Sequence, residues 1–166
     1  QVDPEHIMTA LALQPDGIVV PILKKMGVDP AVLLRQLEES LDKLPKVYGS
    51  AGQIYISPRS ERVLNQSFKE AERLKDEYVS TEHILISLVD EKGGKVSGIL
   101  SSSGVTKDAL YNALVSIRGN QRVIDPNPED KYEALKRYGR DLTEQARKGK
   151  LDPVIGRDNE IRRVIQ

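Results

Sequence analysis

The sequence predicts an all-α domain built from two tandem copies of one helical unit, followed by a linker and a further helical segment. The main observation is an internal repeat, in which VDPEHI at 2–7 is matched by VSTEHI at 79–84. The two other observations are capping residues ahead of each apolar segment and glycines at the expected helix ends. The offset of 77 is kept without a gap by Leu11/Leu88, Gly17/Gly94, Val19/Val96, Ile22/Ile99, Leu23/Leu100, Gly27/Gly104, Val28/Val105, Leu33/Leu110 and Leu37/Leu114.

Each copy divides into three helices at residues that favour helix ends. Asp3 and Ser80 are predicted N-caps of the first helices, and Pro4 suits the first helical position. The second helices follow Gly17 and Gly94 and end at Gly27 and Gly104, which suit the left-handed position after a helix. The third helices are predicted to start after Asp29 and Thr106. We therefore expect residues 2–41 and 79–118 to overlay as three-helix units about a pseudo-twofold axis.

A further helix is predicted from Ser57-Pro58 to about Glu77, ahead of the second copy. Its apolar residues at helical spacing define the expected inward face, Val63, Leu64, Phe68, Ala71 and Leu74. The repeat implies a matching helix about 20 residues before Gln1. The sequence therefore predicts that the natural protein begins earlier.

Residues 119–131, GNQRVIDPNPEDK, are predicted to form an interdomain linker after the repeat domain at 1–118. They include two prolines, lack helical periodicity and offer few apolar anchors, so we expect a mobile tether. Residues 132–166 return to a helical pattern and include the turn LDPVIGRD at 151–158. Asp158, the last residue of this turn, is the predicted N-cap of a last helix.

Composition excludes several classes of protein. The 166 residues include 25 Lys and Arg against 25 Asp and Glu, whereas proteins that bind nucleic acid or anionic membranes need a basic surface. The absence of cysteine excludes a disulfide scaffold, a thiolate zinc site and a cysteine nucleophile. No apolar run approaches the roughly 20 residues of a membrane span. The expected location is the cytoplasm.

The motifs give no sign of catalysis in this chain. Gly93-Gly94-Lys95-Val96 lacks the hydroxyl residue that follows lysine in a phosphate-binding loop. Glu5-His6 and Glu82-His83 are helix neighbours that do not face each other, so neither is an acid–base dyad. We expect both histidines to pack or hydrogen bond in the same way, with no metal bound. No nucleophile stands beside a base, so an independent hydrolase is disfavoured.

A candidate binding surface lies at the start of the second copy. Leu64, Tyr78, Val79 and His83 are predicted to meet in an apolar groove, with Asp76 and Glu82 as an acidic rim for unfolded segments that mix apolar and basic residues. The alternative is a solvated helix end, in which Glu82 in the first turn is favoured by the helix dipole.

The end of the chain resembles a known family. LDPVIGRDNEIRRVIQ at 151–166, preceded by YGRDLTEQARKGK, is similar to the segment that opens the first ATPase module of the Clp family of AAA+ unfolding machines. NPEDKYEALKRYGRDL is similar to the ClpB disaggregase branch of that family. The tandem repeat, with its VDPEHI and VSTEHI helix starts, resembles the N-terminal domain of the family.

This resemblance implies a cytoplasmic, ATP-driven homohexamer with a coiled-coil insertion, which acts in the stress response and threads aggregated proteins through its pore with the DnaK chaperone as partner. The chain would be the mobile substrate-engaging module, itself a monomer without a cofactor. The matching turn in the family lies beside the adenine, so the resemblance assigns Pro153, Val154, Ile155 and Gly156 to a nucleotide pocket. An alternative is the adaptor-docking domain of a Clp unfoldase that feeds a protease.

Overall fold

A computed structural model describes residues 1–15, 17–45, 53–119, 122–124, 142–150, 156–157 and 162–163. The chain divides into two compact units, Gln1–Tyr132 and Glu133–Gln166. The described residues of the first unit form the helices α1 Pro4–Leu13, α2 Val19–Lys25, α3 Pro30–Asp42, α4 Pro58–Leu74, α5 Thr81–Val89, α6 Lys95–Ser102 and α7 Lys107–Arg118. The second unit contains α8, Leu142–Arg147. None of the described helices combines the length and apolarity that crossing a membrane requires.

The prediction of an all-α fold is confirmed, and the helices repeat as the sequence indicates. The first and third helices of the two copies, α1/α5 and α3/α7, begin 77 residues apart, and the second helices begin 76 apart. Gly27 and Gly104 follow α2 and α6 with φ of 79° and 80°, a left-handed conformation that residues with a Cβ atom disfavour.

The two histidines have the same role in both copies, as predicted. Each is the third residue of its helix and completes a capping box with the N-cap residue. The Asp3 backbone N–H donates to Nδ1 of His6 over 3.1 Å, and the Ser80 N–H donates to Nδ1 of His83 over 2.9 Å. The histidines therefore fix where α1 and α5 begin.

Helix α4 differs from the prediction in its length and in its buried face. It ends at Leu74 because Lys75 takes the left-handed conformation at φ 59°. The apolar pattern places Phe68 on the inward face, but Phe68 is 63% exposed, and Leu64 is half-buried. Val63 and Ala71 are buried as predicted, beside three polar residues, Ser60, Ser67 and Glu70. The short serine side chains can be buried because they hydrogen bond locally, as in the 2.6 Å bond from Ser67 Oγ to the carbonyl of Leu64.

In both copies the chain returns after the third helix to pair with the residues ahead of the first. Val2 N–H donates to the carbonyl of Tyr55 over 2.7 Å, and Ser57 N–H donates to the carbonyl of Val2 over 3.0 Å, which forms a parallel bridge. In the second copy, Glu77 N–H donates to the carbonyl of Val123 over 2.9 Å. Val123 is fully buried, so the predicted linker, expected to have few apolar anchors, has one of them at 122–124.

An ion-paired arginine joins the two copies. Arg59, at the start of α4, lies 3.1 Å from Oε1 of Glu5 in α1 and donates over 2.8 Å to Oε1 of Glu91, just after α5. Glu91 can take this position because residue 94 is glycine, where an added Cβ would lie 2.1 Å from Oε2 of Glu91. A residue with a Cβ at position 94 would therefore have to displace the Glu91 side chain from this position.

We expect Gly94→Ala to lower the free energy of unfolding by about 1 kcal/mol, because the new methyl displaces Glu91 from Arg59. Gly98→Ala is the matched control, since a Cβ at that position in α6 meets nothing within 4 Å. The control should be stabilised by about 0.5–1 kcal/mol, because glycine disfavours a helix interior. Urea unfolding of both variants measures the difference, and equal stabilisation of the two would contradict the packing argument.

Candidate functional site

A shallow groove of about 440 Å³ lies between the C-terminal end of α4 and the outer face of α7. Its wall is apolar and its far end is cationic. The lining residues are Leu74, Tyr111, Leu114, Val115, Arg118, Gly119 and Arg122. Val115, in the last turn of α7, is 63% exposed, so an apolar surface is open to solvent here.

A buried ionic cluster centred on Asp76 supports this groove. The Asp76 carboxylate is fully buried and accepts hydrogen bonds from Nε2 of His83 at 2.9 Å, from the backbone N–H of Val123 at 2.8 Å and from Arg118. Arg118 also lies 3.5 Å from Oε1 of Glu82, and its own side chain is 8% exposed. One carboxylate thus holds together the start of α5, the end of α7 and the returning segment 122–124.

The hydrogen bonds of His83 identify its tautomer. Because the Ser80 N–H donates to Nδ1, that nitrogen is an acceptor and Nε2 carries the proton that is donated to Asp76. Neither ring nitrogen therefore has a lone pair left for a metal ion. Ser80 Oγ also lies 2.9 Å from Nδ1, which gives the order Ser–His–Asp of a catalytic triad. Ser80 Oγ, however, accepts the backbone N–H of His83 as the N-cap, and both side chains are buried, so the arrangement is structural.

The sequence-predicted groove residues are divided between the interior and the surface. Asp76, Glu82 and His83 do come together, but their side chains are buried, so the acidic groups do not form a rim that faces solvent. Tyr78 is 44% exposed, and Leu64 and Val79 are half-buried.

The charge that faces the groove is positive and comes from the exposed Arg122, because Arg118 is ion-paired with the buried Asp76 and Glu82. Sequence reasoning missed Arg118 because position 41, its equivalent in the first copy, is leucine, and no local pattern indicates its partner 42 residues away.

The proposed nucleotide residues lie mostly outside the described part of the chain. Pro153, Val154 and Ile155 are not described. Gly156 is exposed and has φ of 75°, so the turn uses a conformation that favours glycine.

A second polar cluster holds Tyr111 in the groove wall. Glu70 is 2% exposed and accepts hydrogen bonds from Lys107 at 2.8 Å, from Gln66 at 3.1 Å and from the hydroxyl of Tyr111. Arg73 lies 5.1 Å above the ring of Tyr111, within cation–π distance. Glu70 therefore ties α4 to α7 and orients the aromatic side chain that lines the groove.

Burial and hydrogen bonding shift the pKa values of this cluster in different directions. Burial, the largest single effect, raises the pKa of Glu70, but hydrogen bonds from Lys107, Tyr111 and Gln66 together outweigh it and the pKa is lowered. Burial and the contact with Glu70 raise the pKa of Tyr111 to about 12. The cluster is therefore held together by an ionised glutamate and a protonated tyrosine at neutral pH.

The geometry defines a class of protein, the all-α domains made of two tandem helical repeats that present an open apolar groove over a buried ionic cluster. A family model described as the Clp repeat (R) N-terminal domain matches residues 1–103. The chain belongs to this family.

The relatives agree with this assignment. Chaperone protein ClpB of Rhodopirellula baltica is 49% identical over 166 residues, and that of Bacillus anthracis is 46% identical over 169 residues. Each alignment includes all of this chain but only 19% of the relative's length. The crystal structure of the Hsp104 N-terminal domain from Candida albicans matches with a TM-score of 0.64 at 24% identity, over 75% of this chain and 81% of that one, which establishes the shared fold.

We expect Asp76→Ala to release the segment 122–124, because alanine cannot accept the hydrogen bond from the Val123 N–H. The substitution also removes the carboxylate that accepts hydrogen bonds from Arg118 and His83. The free energy of unfolding should fall by about 3 kcal/mol. The Val123 amide should exchange with solvent faster than in the unsubstituted chain. Glu77→Gln is the control, since this exposed residue donates its backbone N–H to Val123 and the substitution keeps that group. Unchanged Val123 protection in Asp76→Ala would show that the carboxylate does not hold the segment.

We expect Glu70→Gln to lower the free energy of unfolding by about 2 kcal/mol at pH 7, the typical loss for hydrogen bonds to a charged group. Because the folded-state pKa of Glu70 lies below its ordinary 4.5, the stabilisation is complete above that value and is lost as pH falls through the lower folded-state pKa. Urea unfolding between pH 7 and pH 3 should therefore bring variant and unsubstituted chain together at the acidic end. Glu72→Gln, an exposed change on the same helix, should show no such convergence.

Proposed function

We propose that this chain is the substrate-engaging N-terminal module of an ATP-driven protein disaggregase, and that it binds unfolded or aggregated polypeptide weakly. The observation that carries the proposal is the open groove beside α7, where Val115 is 63% exposed among Leu74, Tyr111 and Leu114. Membership of the Clp repeat N-terminal domain family supports the same role. The similarity to proteins named as ClpB chaperones favours a disaggregase over an unfoldase that serves a protease.

The shape of the groove suits cargo of many sequences. It is shallow, and its apolar wall belongs to one helix face, so it can accept different side chains without selecting one. Arg122 at its end adds attraction for acidic residues that flank an apolar segment, and salt would weaken this attraction. Leu64, Tyr78 and Val79 are proposed as adjoining apolar contacts. Asp76, Glu82 and His83 would support the surface from beneath, through Arg118.

Weak binding follows from the limited area and from the proposed task. A module that hands cargo to a pore must release it, so we expect a dissociation constant between millimolar and high micromolar, or about −4 to −7 kcal/mol. In a hexamer, six such modules on tethers would raise the effective concentration of sites without tighter single contacts.

The longer protein is proposed to be a cytoplasmic homohexamer that hydrolyses ATP and cooperates with the DnaK system. In this proposal residues 132–166 open the first ATPase module. Pro153, Val154, Ile155 and Gly156 would contact the adenine of the bound nucleotide, whereas the phosphates would be bound by residues outside this chain.

We expect Val115→Asp to weaken binding of unfolded casein about fivefold, because most of a valine's burial energy of about 1.5 kcal/mol is lost and a charge enters the apolar wall. Val32→Asp is the matched control, an exposed valine on α3. Titration of casein into the isotope-labelled chain, followed by chemical shifts, gives both the affinity and the location. Shifts that avoid α7, or equal effects of the two substitutions, would rule out this groove.

A further inference from the structure

Three consecutive apolar side chains project into solvent just before α4. Ile54 is 83% exposed, Tyr55 61% and Ile56 58%. Ile54 is the most exposed of the large apolar side chains in the described part of the chain. Single exposed apolar residues are ordinary on a protein surface, but a contiguous run in extended backbone indicates a contact surface.

The backbone of this segment has one open edge. In the parallel bridge, Val2 uses the carbonyl of Tyr55 and the N–H of Ser57. The alternation of an extended strand turns the N–H and C=O groups of Ile54 and Ile56 to the opposite side. Within the described residues, no backbone hydrogen bond involves Ile54 or Ile56. As far as the described residues show, the bridged segment therefore presents unpaired backbone donors and acceptors beside apolar side chains.

Nothing in the segment's own sequence protects this edge. Proteins commonly guard an exposed strand edge with lysine, with proline or with a covering element, because an open edge pairs with other chains. Gln53 to Ser57 contains no charged residue and no proline. An exposed edge of this kind is a hazard in a protein without a use for it.

We propose that the edge formed by Ile54 and Ile56 binds an extended apolar segment of unfolded polypeptide by strand addition. The inference rests on the proposed function, and it adds a second contact for the same cargo. Backbone hydrogen bonds would recognise the extended chain without reading its sequence, and the exposed side chains would favour apolar segments. The edge thereby suits cargo that is defined by being unfolded.

The length of the edge argues against a second copy of this chain as its occupant. Three residues span about 10 Å. A stable protein interface buries about 1,200–2,000 Å², far more than such a short edge can cover. A contact of this size is useful only for a chain that is also held elsewhere, as cargo in the groove would be.

The test compares the backbone with the side chains, using unfolded casein as the probe and the whole 166-residue chain. Casein should slow amide exchange at Ile54 and Ile56. Ile54→Pro removes the outward N–H but keeps both hydrogen bonds to Val2, and it should weaken binding about three- to tenfold, the factor for one backbone hydrogen bond. Ile54→Val, which keeps the N–H and the apolar surface, should bind as the unsubstituted chain does. Protection of the Val2 amide in both variants verifies that the bridge is intact.

The outcomes separate this inference from the proposed function. If casein shifts α7 resonances but leaves the Ile54 and Ile56 amides unprotected, or if Ile54→Pro binds normally, strand addition is wrong while the groove proposal stands. If casein perturbs neither surface, both fail. If these amides become protected with rising chain concentration and no casein, the occupant is a second copy and the inference is overturned.

Discussion

The buried carboxylate of Asp76 determines how the second copy is assembled. A charged group away from water is stable only when donors surround it, and the donors here come from three separate places in the chain. His83 is supplied by α5, Arg118 by α7 and the Val123 N–H by the returning segment. Since each must reach the same carboxylate, their relative positions are fixed, and the groove beside Arg118 takes its shape from them.

The two copies solve the same problem with different partners. Glu5 and Glu82 occupy equivalent positions, and both are fully buried in the first turn of a helix. Arg59 from α4 pairs with Glu5, whereas Arg118 from α7 pairs with Glu82. The repeat therefore fixes where each buried charge lies, but the arginine comes from a different helix in each case. This asymmetry explains why an ionic cluster lies under α7. It also means that the ion pairs of one copy cannot be inferred from those of the other.

Local signals in the sequence were sufficient for the fold. Asp3, Ser80, Gly27 and Gly104 act through hydrogen bonds and backbone angles within a few residues, so their effect can be read from neighbouring positions. The buried face of α4 could not be read in this way. Phe68 fits an apolar pattern but faces solvent, because the buried side of the helix is completed by small and hydrogen-bonded residues.

The binding surface was predicted less well than the fold, for a related reason. The sequence shows acidic residues near Tyr78, but whether an acid faces water depends on whether a donor reaches it from elsewhere in the chain. Arg118 reaches Asp76 across 42 residues of sequence, and this pairing turns the predicted acidic rim inward. The same carboxylate accepts the backbone N–H of Val123, a contact that the composition of residues 119–131 does not indicate.

Inward-facing charge has a direct consequence for the groove surface. Because Asp76 and Glu82 are paired with Arg118 inside, the outer face of α7 presents apolar side chains beside the cationic Arg122, without acidic neighbours among the groove-lining residues. Cargo would therefore be held by burial of apolar surface, which is non-directional and tolerant of sequence. The ionic cluster supplies rigidity instead of affinity, since its groups are already paired and cannot be offered to a ligand. A surface whose shape is held by buried ion pairs, and whose exposed apolar side chains select no particular sequence, is suited to brief contact with many unfolded chains.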